Sequence, residues 1–406
     1  MQADKKNMER MVEVVPDSEW QQLQNFLSHS PWSERGLLDQ LARDANDLIG
    51  GDADSCFIVD ESAVAKKGNK SVGVSRQWNG RLGKVDNCQV GVYSALCCRS
   101  QAVLIDRRLF LPQSWTNDPD RCVKAGVPAD RLEHRKKAEL AVDMVQAARA
   151  NGVEFQWVGG DAFYGDDPEF LRKLDQMGET FMLDIHKDQS IYLTDPTPHI
   201  PERKSTRGRT PAQLKTDQIA VEVQQWADEQ PKSAWKKMLV RNSTKGFISA
   251  RVLHRNVWLW DGQEQQAHQW HLVVSDSDLS KNKRKNSLSN APSDTPIQRL
   301  VYMQGQRYWV ERAIEDGKSH AGLADYQVRS WTGWHHHMAM VMLALLFMLE
   351  TKIKQEDSYH LLSCYDIQVL LAHFLPRRDI TKREVIRQML IRHKQRAASI
   401  EFHRRI

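Results

Sequence analysis

Two aspartates stand where an apolar run stops. Asp60 closes CFIVD, and Asp161 follows Trp157, Val158 and two glycines in WVGGD. Carboxylates at strand ends are hard oxygen donors, and two that meet at one sheet edge can hold Mg²⁺. Gly159 and Gly160 lack a Cβ and would let another backbone, or a ligand, come close. Taken singly, each Asp also reads as the start of a turn. A third acid comes from a helix expected over residues 306–322, where Val310, Ala313, Ile314, Gly317 and Ala321 make an apolar stripe. Beside that stripe Arg307, Glu311 and Lys318 share a face, placing one carboxylate between two cations. This is the set that a metal ligand with adjoining phosphate clamps needs. Surface i,i+4 pairing is the plainer reading of the same residues, and Glu315 is the rival ligand.

Such a set suits phosphodiester chemistry. Cleavage puts negative charge on the attacking and leaving oxygens together, and two divalent ions about 4 Å apart stabilise both. With no histidine required, Mg²⁺ is the natural ion and Mn²⁺ the substitute.

The elements that would carry these residues fall in a readable order. Residues 1–50 read as helical, with Trp20, Leu23, Phe26 and Leu27 at helical spacing. Strands follow at 56–60, 89–96 and 102–110, then a helix at 136–150, a strand at 154–160, a helix at 167–177 and a strand at 180–185. Three strands, then helix, strand, helix, strand is the order of a ribonuclease-H-like α/β core. Residues 191–296 interrupt it as an inserted β-rich subdomain, with a hairpin over 247–260 and 269–275. Helices return at 298–322, 331–353 and 357–374, and a last one opens with Thr381 and Glu384 in capping-box spacing. The expected regions are therefore 1–50 (helical, DNA-binding), 51–190 (first part of the core), 191–296 (insert), 297–355 (helical completion) and 356–406 (basic, helical).

Charge is unevenly spread along the 406 residues. The net charge is +5, yet residues 377–406 hold ten Lys or Arg against three acids, so the rest of the chain is slightly negative. A basic tail on a near-neutral body suits phosphate contact, although a solvated helix face looks the same. A second cluster, Lys281, Lys283, Arg284 and Lys285, lies in the polar stretch 275–294, which reads as a loop beside a polyanion. With 41% hydrophobic and 27% charged residues and a mean hydropathy of -0.59, the composition is that of a globular protein outside the membrane. The longest apolar run, 338–349, reads as a core helix, and the charged N-terminus is unlike a secretory signal, so the cytoplasm is the expected compartment. Six cysteines form no Cys-x-x-Cys pair and are expected to be reduced. His335, His336 and His337 are consecutive and would point in different directions, which argues against a shared metal. Trp258, Trp260, Trp309, Trp331 and Trp334 are read as packing groups before base-stacking ones.

Together these residues resemble the DDE transposases of bacterial insertion sequences, in the branch with a Tyr-(2)-Arg-(3)-Glu-(6)-Lys signature. Arg307, Glu311 and Lys318 match three of its four places, and Gln304 stands at the Tyr place with Tyr302 and Tyr308 close by. FIVDESAVAKKGNKSVGVSRQWNGRLGKVDNCQVGVYSAL, LPQSWTNDPDRC, WVGGDAFYGDD and DYQVRSWTGWHHHMAM extend the resemblance over nearly the whole chain. It implies that Asp60, Asp161 and Glu311 are the catalytic, metal-binding acids and that Arg307 and Lys318 contact DNA. It implies double-stranded DNA, both transposon ends and target, as partner, cut-and-paste transposition as function, and a homodimer when two ends are joined. Relatives usually have more sequence before the stretch that KKNMERMVEVV resembles, which implies a shortened N-terminus. A catalytically inactive DNA-binding derivative is the alternative, suggested by Gln304 and that N-terminus.

Overall fold

Residues rich in Val, Ile, Phe and Cys pair first: Ser55–Ala65 (β1), Ser75–Asn79 (β2), Lys84–Cys98 (β3) and Gln101–Leu109 (β4). Every residue from Cys88 to Cys98 is buried, which is why β3 reads as a continuous apolar run and not as an alternation. β3 lies antiparallel to β1, β2 and β4. Trp157–Gly160 (β5) then runs parallel to β1, and Phe181–Ile185 (β6) parallel to β5. Four further strands, Lys236–Ser243 (β7), Gly246–Leu259 (β8), His268–Ser277 (β9) and Arg284–Ser289 (β10), extend the same sheet, with β10 antiparallel to β6. The result is one ten-stranded mixed sheet in the order β2-β3-β1-β5-β6-β10-β9-β8-β7, with β4 also on β3. The structure is a computed structural model that describes residues 3–203, 212–243, 246–277 and 284–404.

Helices gather at both ends of the chain. Met8–Val14 (α1), Trp20–Ser28 (α2) and Glu34–Ile49 (α3) precede the sheet; Lys137–Ala150 (α4) and Pro168–Gln176 (α5) lie among its strands. Ile297–Gln306 (α6), Tyr308–Asp316 (α7), Trp331–Lys354 (α8), Cys364–Phe374 (α9) and Lys382–Arg404 (α10) follow it. The molecule is thus a mixed α/β fold with a large mixed sheet and helices at both ends.

Several sequence expectations need correction. The helix expected over 306–322 is broken: α6 ends at Gln306, α7 starts at Tyr308, and Gly317–Ala321 forms a wider π-helical turn. The stretch expected to be a loop contains β10, so Arg284 and Lys285 sit in a strand, while Lys281 and Lys283 lie outside the described residues. The helix expected from 357 starts only at Cys364, where Ser363 and Asp366 form a capping box. β2 was not anticipated.

α8 is long and apolar enough to cross a bilayer by length and composition, but it is a core helix packed on β4 and α3. Its three histidines turn to different carbonyls: His335 Nδ1 to Trp331 O (2.9 Å), His337 Nε2 to Gly322 O (2.9 Å), and His336 to Leu27 O and Trp32 O (2.9 and 3.1 Å). The His336 ring also stacks on Trp32 with centroids 3.9 Å apart, so it fastens the N-terminal helices to the core. All six cysteines are free and buried.

Candidate active site

Strand register does most of the positioning. Ile58 pairs with Gly159 across β1 and β5, and Gly160 with Leu183 across β5 and β6. Continuing each register brings Asp60, Asp161 and Asp184 abreast on three adjacent parallel strands, where β5 and β6 end; β1 does not end at Asp60 as expected but runs on to Ala65, still paired with β3. The turn after β5 is held close by Gly165, where a Cβ would lie 1.9 Å from the Asp184 carbonyl oxygen, so any larger residue must push the turn off β6. Gly159 and Gly160 serve packing rather than ligand approach: their missing Cβ atoms would press on Ile58, Leu183 and Val59 side chains.

The row carries more negative charge than its surroundings balance. Burial, and then the charge of Asp161, push the Asp60 carboxyl up to about 7, with Arg307 and the Glu61 N–H (2.7 Å to Oδ1) opposing. Burial also raises Asp161, against the pull of Arg307, and its Oδ1 accepts from Phe163 N at 3.1 Å. Arg307 projects from the break between α6 and α7. Its Nε lies 2.7 Å from Asp184 Oδ2 without a hydrogen-bonding angle, and its Nη1 lies 2.5 Å from Glu311 Oε1, so it makes two ion pairs. Burial works against the guanidinium charge, yet Asp184, Glu311 and Asp60 together hold it protonated.

Glu311 lies on this side, within the field of Asp60, whereas Glu315 is turned outward onto Arg312 at 3.1 Å. Lys318, in the wide turn after α7, is half-buried. Burial lowers its ammonium, Arg81 adds to the effect, and Asp60 opposes it. Asp60, Asp161, Glu311, Arg307 and Lys318 therefore share one electrostatic neighbourhood. They do not form a closed ligand cage: among the described residues no three His, Cys, Asp or Glu side chains converge on one ion position, and the Glu311 carboxylate rests on Arg307. The donor chemistry nevertheless fits a hard divalent cation, because all three candidates are carboxylates and the half-buried Asp60–Asp161 pair has no ion-paired cation of its own among the described residues.

Two residues at this edge escaped the sequence reading. Asp184 closes the apolar run FMLD just as Asp60 closes CFIVD, a signal that was present. Lys285 was assigned to a loop; it reaches Asp184 Oδ2 at 3.3 Å from β10. Gln304 is almost fully buried, and its side chain donates to Ser287 Oγ (2.9 Å) and Val273 O (3.2 Å), so it braces β10 and β9 from below.

Comparison with known proteins gives three findings. The family model described as "DDE superfamily endonuclease" matches residues 1–246. A probable transposase for insertion sequence element IS701 from Microchaete diplosiphon is 22% identical over 330 residues, covering 80% of this chain and 73% of the relative. The NurA nuclease from Sulfolobus solfataricus is similar at a TM-score of 0.28 and 10% identity, covering 69% of this chain and 85% of that one, a score too low to carry an argument.

Proposed function

The chain belongs to the DDE superfamily endonucleases, and from that membership we propose that it is a transposase that cuts transposon ends and joins the 3′-hydroxyl to target DNA. The observation that carries this reading is the carboxylate row: Asp60 within β1 and Asp161 just after β5 lie side by side on parallel strands, with Arg307 and Glu311 facing them. The strand order β4-β3-β1-β5-β6, three antiparallel strands and then two parallel to the first, supports a ribonuclease-H-like core. The similarity to the IS701 transposase supports the same reading.

Asp60, Asp161 and Glu311 would hold divalent ions, Mg²⁺ by preference and Mn²⁺ as a substitute. When bound, such ions activate the attacking oxygen and stabilise the leaving one. The protein's own groups do the rest. Asp60 and Asp161 are fixed by strand register, and Glu311 would join them as a ligand by turning away from Arg307. That would free Arg307 Nη1 for a phosphate, with Lys318 as a second cation in the same neighbourhood. Double-stranded DNA is the partner, and a homodimer brings the two ends together.

The deciding experiment incubates the purified chain with supercoiled plasmid bearing the DNA that flanks its reading frame, in Mg²⁺ or Mn²⁺. Nicking at the flanks that EDTA stops supports the proposal; intact plasmid with either ion refutes it.

A further inference from the structure

Asp184 stands in line with Asp60 and Asp161, but it is engaged differently. Its Oδ1 accepts from Ser287 Oγ at 2.6 Å, and its Oδ2 is ion-paired with Arg307 Nε at 2.7 Å and Lys285 Nζ at 3.3 Å. Both oxygens thus face this chain's own groups, one a hydroxyl donor and the other two cations, unlike those of a carboxylate waiting for metal. Ser287 is the cross-strand partner of Asp184, and Lys285, two residues along β10, projects from the same face. Lys285 is fixed a second time, by the Gln304 carbonyl oxygen at 2.9 Å, and the Gln304 amide holds Ser287. Two cations from distant parts of the chain are therefore seated on Asp184, and since Arg307 is also paired with Glu311, a net positive charge remains beside the acid row once Glu311 turns to a metal, as proposed above. Lys285 carries three N–H donors and Arg307 five; the Gln304 carbonyl takes one of the first, and the Arg307 Nε is left without a hydrogen-bond acceptor.

We propose that Lys285 and Arg307 form a phosphate-binding subsite for the DNA strand beside the carboxylate row, and that Asp184 is the positioning residue that sets both. The proposal rests on the reading of that row as a DNA-cutting site. Lys285 comes from a strand beyond the parallel pair, so the extension of the sheet supplies part of the site. A DNA backbone is the ligand because Arg307 also lies in the field of Asp60 and Asp161; a phosphate seated here continues the strand presented to them.

The test uses the full chain, a fluorescent duplex for binding against salt concentration, and nicking of supercoiled plasmid in Mn²⁺. Lys285→Gln lowers the slope of log affinity against log salt by about 0.9, the loss of one phosphate contact, and raises KM several-fold. Lys285→Arg restores both. Asp184→Asn keeps the shape but removes the anchoring charge, so duplex binding tightens while kcat falls. A substitution that only loosened the fold would weaken binding and turnover together. Parental slope, KM and kcat in Lys285→Gln and Asp184→Asn, with Asp60→Asn inactive, overturn the subsite and leave the reading of the row intact. Nicking that survives Asp60→Asn overturns that reading itself. If Asp184→Asn does not fold, the Lys285→Gln and Lys285→Arg pair decides.

Discussion

The molecule carries positive charge in two regions that are built in opposite ways. Beside the acid row, Arg307 is half-buried and tied to Asp184 and Glu311, and Lys285 is tied to Asp184 and the Gln304 carbonyl. Along α10, Lys382, Arg383, Lys394 and Arg396 are exposed, while Arg387 is held by Glu384 at 2.7 Å and Arg392 reaches back to Glu13 at 2.6 Å. A cation held on a carboxylate has already given up its rotamer freedom and much of its long-range field. It can orient a phosphate that has arrived, but it attracts little from a distance. Exposed cations do the reverse, since their field reaches solvent and their gain is the release of counterions from DNA. The fixed region should therefore govern turnover and the exposed region capture.

The largest effects should appear on the acids that both regions serve. Asp60→Asn or Asp161→Asn should cut nicking by on the order of 10³-fold with duplex affinity nearly unchanged, measured by plasmid nicking and duplex titration. Thermal melting should not drop for Asp60→Asn, because the change removes repulsion between two half-buried acids. Nicking at the parental rate would break the comparison at its base. Glu311→Gln and Glu315→Gln sharpen it: the first should be as damaging as the Asp changes, and the second near neutral because Glu315 faces Arg312 and solvent. Loss of activity in Glu315→Gln alone would reassign the third acid.

Next in size is Arg307. Arg307→Gln should lower kcat by roughly 10²-fold with a smaller change in KM, as expected for a preorganised donor. Arg307→Lys should recover little, because an ammonium cannot span Asp184 and Glu311 as a planar fork does. A purely KM effect would place Arg307 with the capture charges of α10.

What the sequence revealed depends on how each feature is encoded. β1, β3, β4, β5 and β6 announce themselves as apolar runs, and Asp60 and Asp161 as the carboxylates after them. β10 does not: Asn286, Ser287 and Ser289 are buried polar residues whose burial is satisfied by ladder bonds and by Asp184 and Gln304, so no hydrophobic period marks the strand. Lys285 was hidden with it. The break at Arg307 was invisible because the apolar stripe runs on through it, from Val301 and Met303 to Val310 and Ala313. Asp184 carried a readable signal, yet its place beside Asp161 follows from sheet order, which is set by long-range pairing and not by local pattern.

The smallest effect, and the sharpest division between the two regions, should come from α10. Replacing Arg383, Lys394 and Arg396 together by Gln removes three exposed charges and leaves Arg392 on Glu13 and Arg378 on the Val15 and Ser18 carbonyls, so the docking of the helix is kept. Each lost phosphate contact lowers the salt slope by about 0.9, so the triple variant should bind duplex DNA with a slope up to about 2.7 shallower. The nicking rate at saturating DNA should match the parent, because these residues are on a different element from the acid row. Ending the chain after Pro376 removes all ten Lys and Arg of this region and should weaken binding further, with a slope at least as shallow. An unchanged slope would mean that the charges of α10 face only solvent, and a fall in saturated rate would mean that α10 reaches the reacting strand, in which case capture and orientation are not separate tasks in this protein.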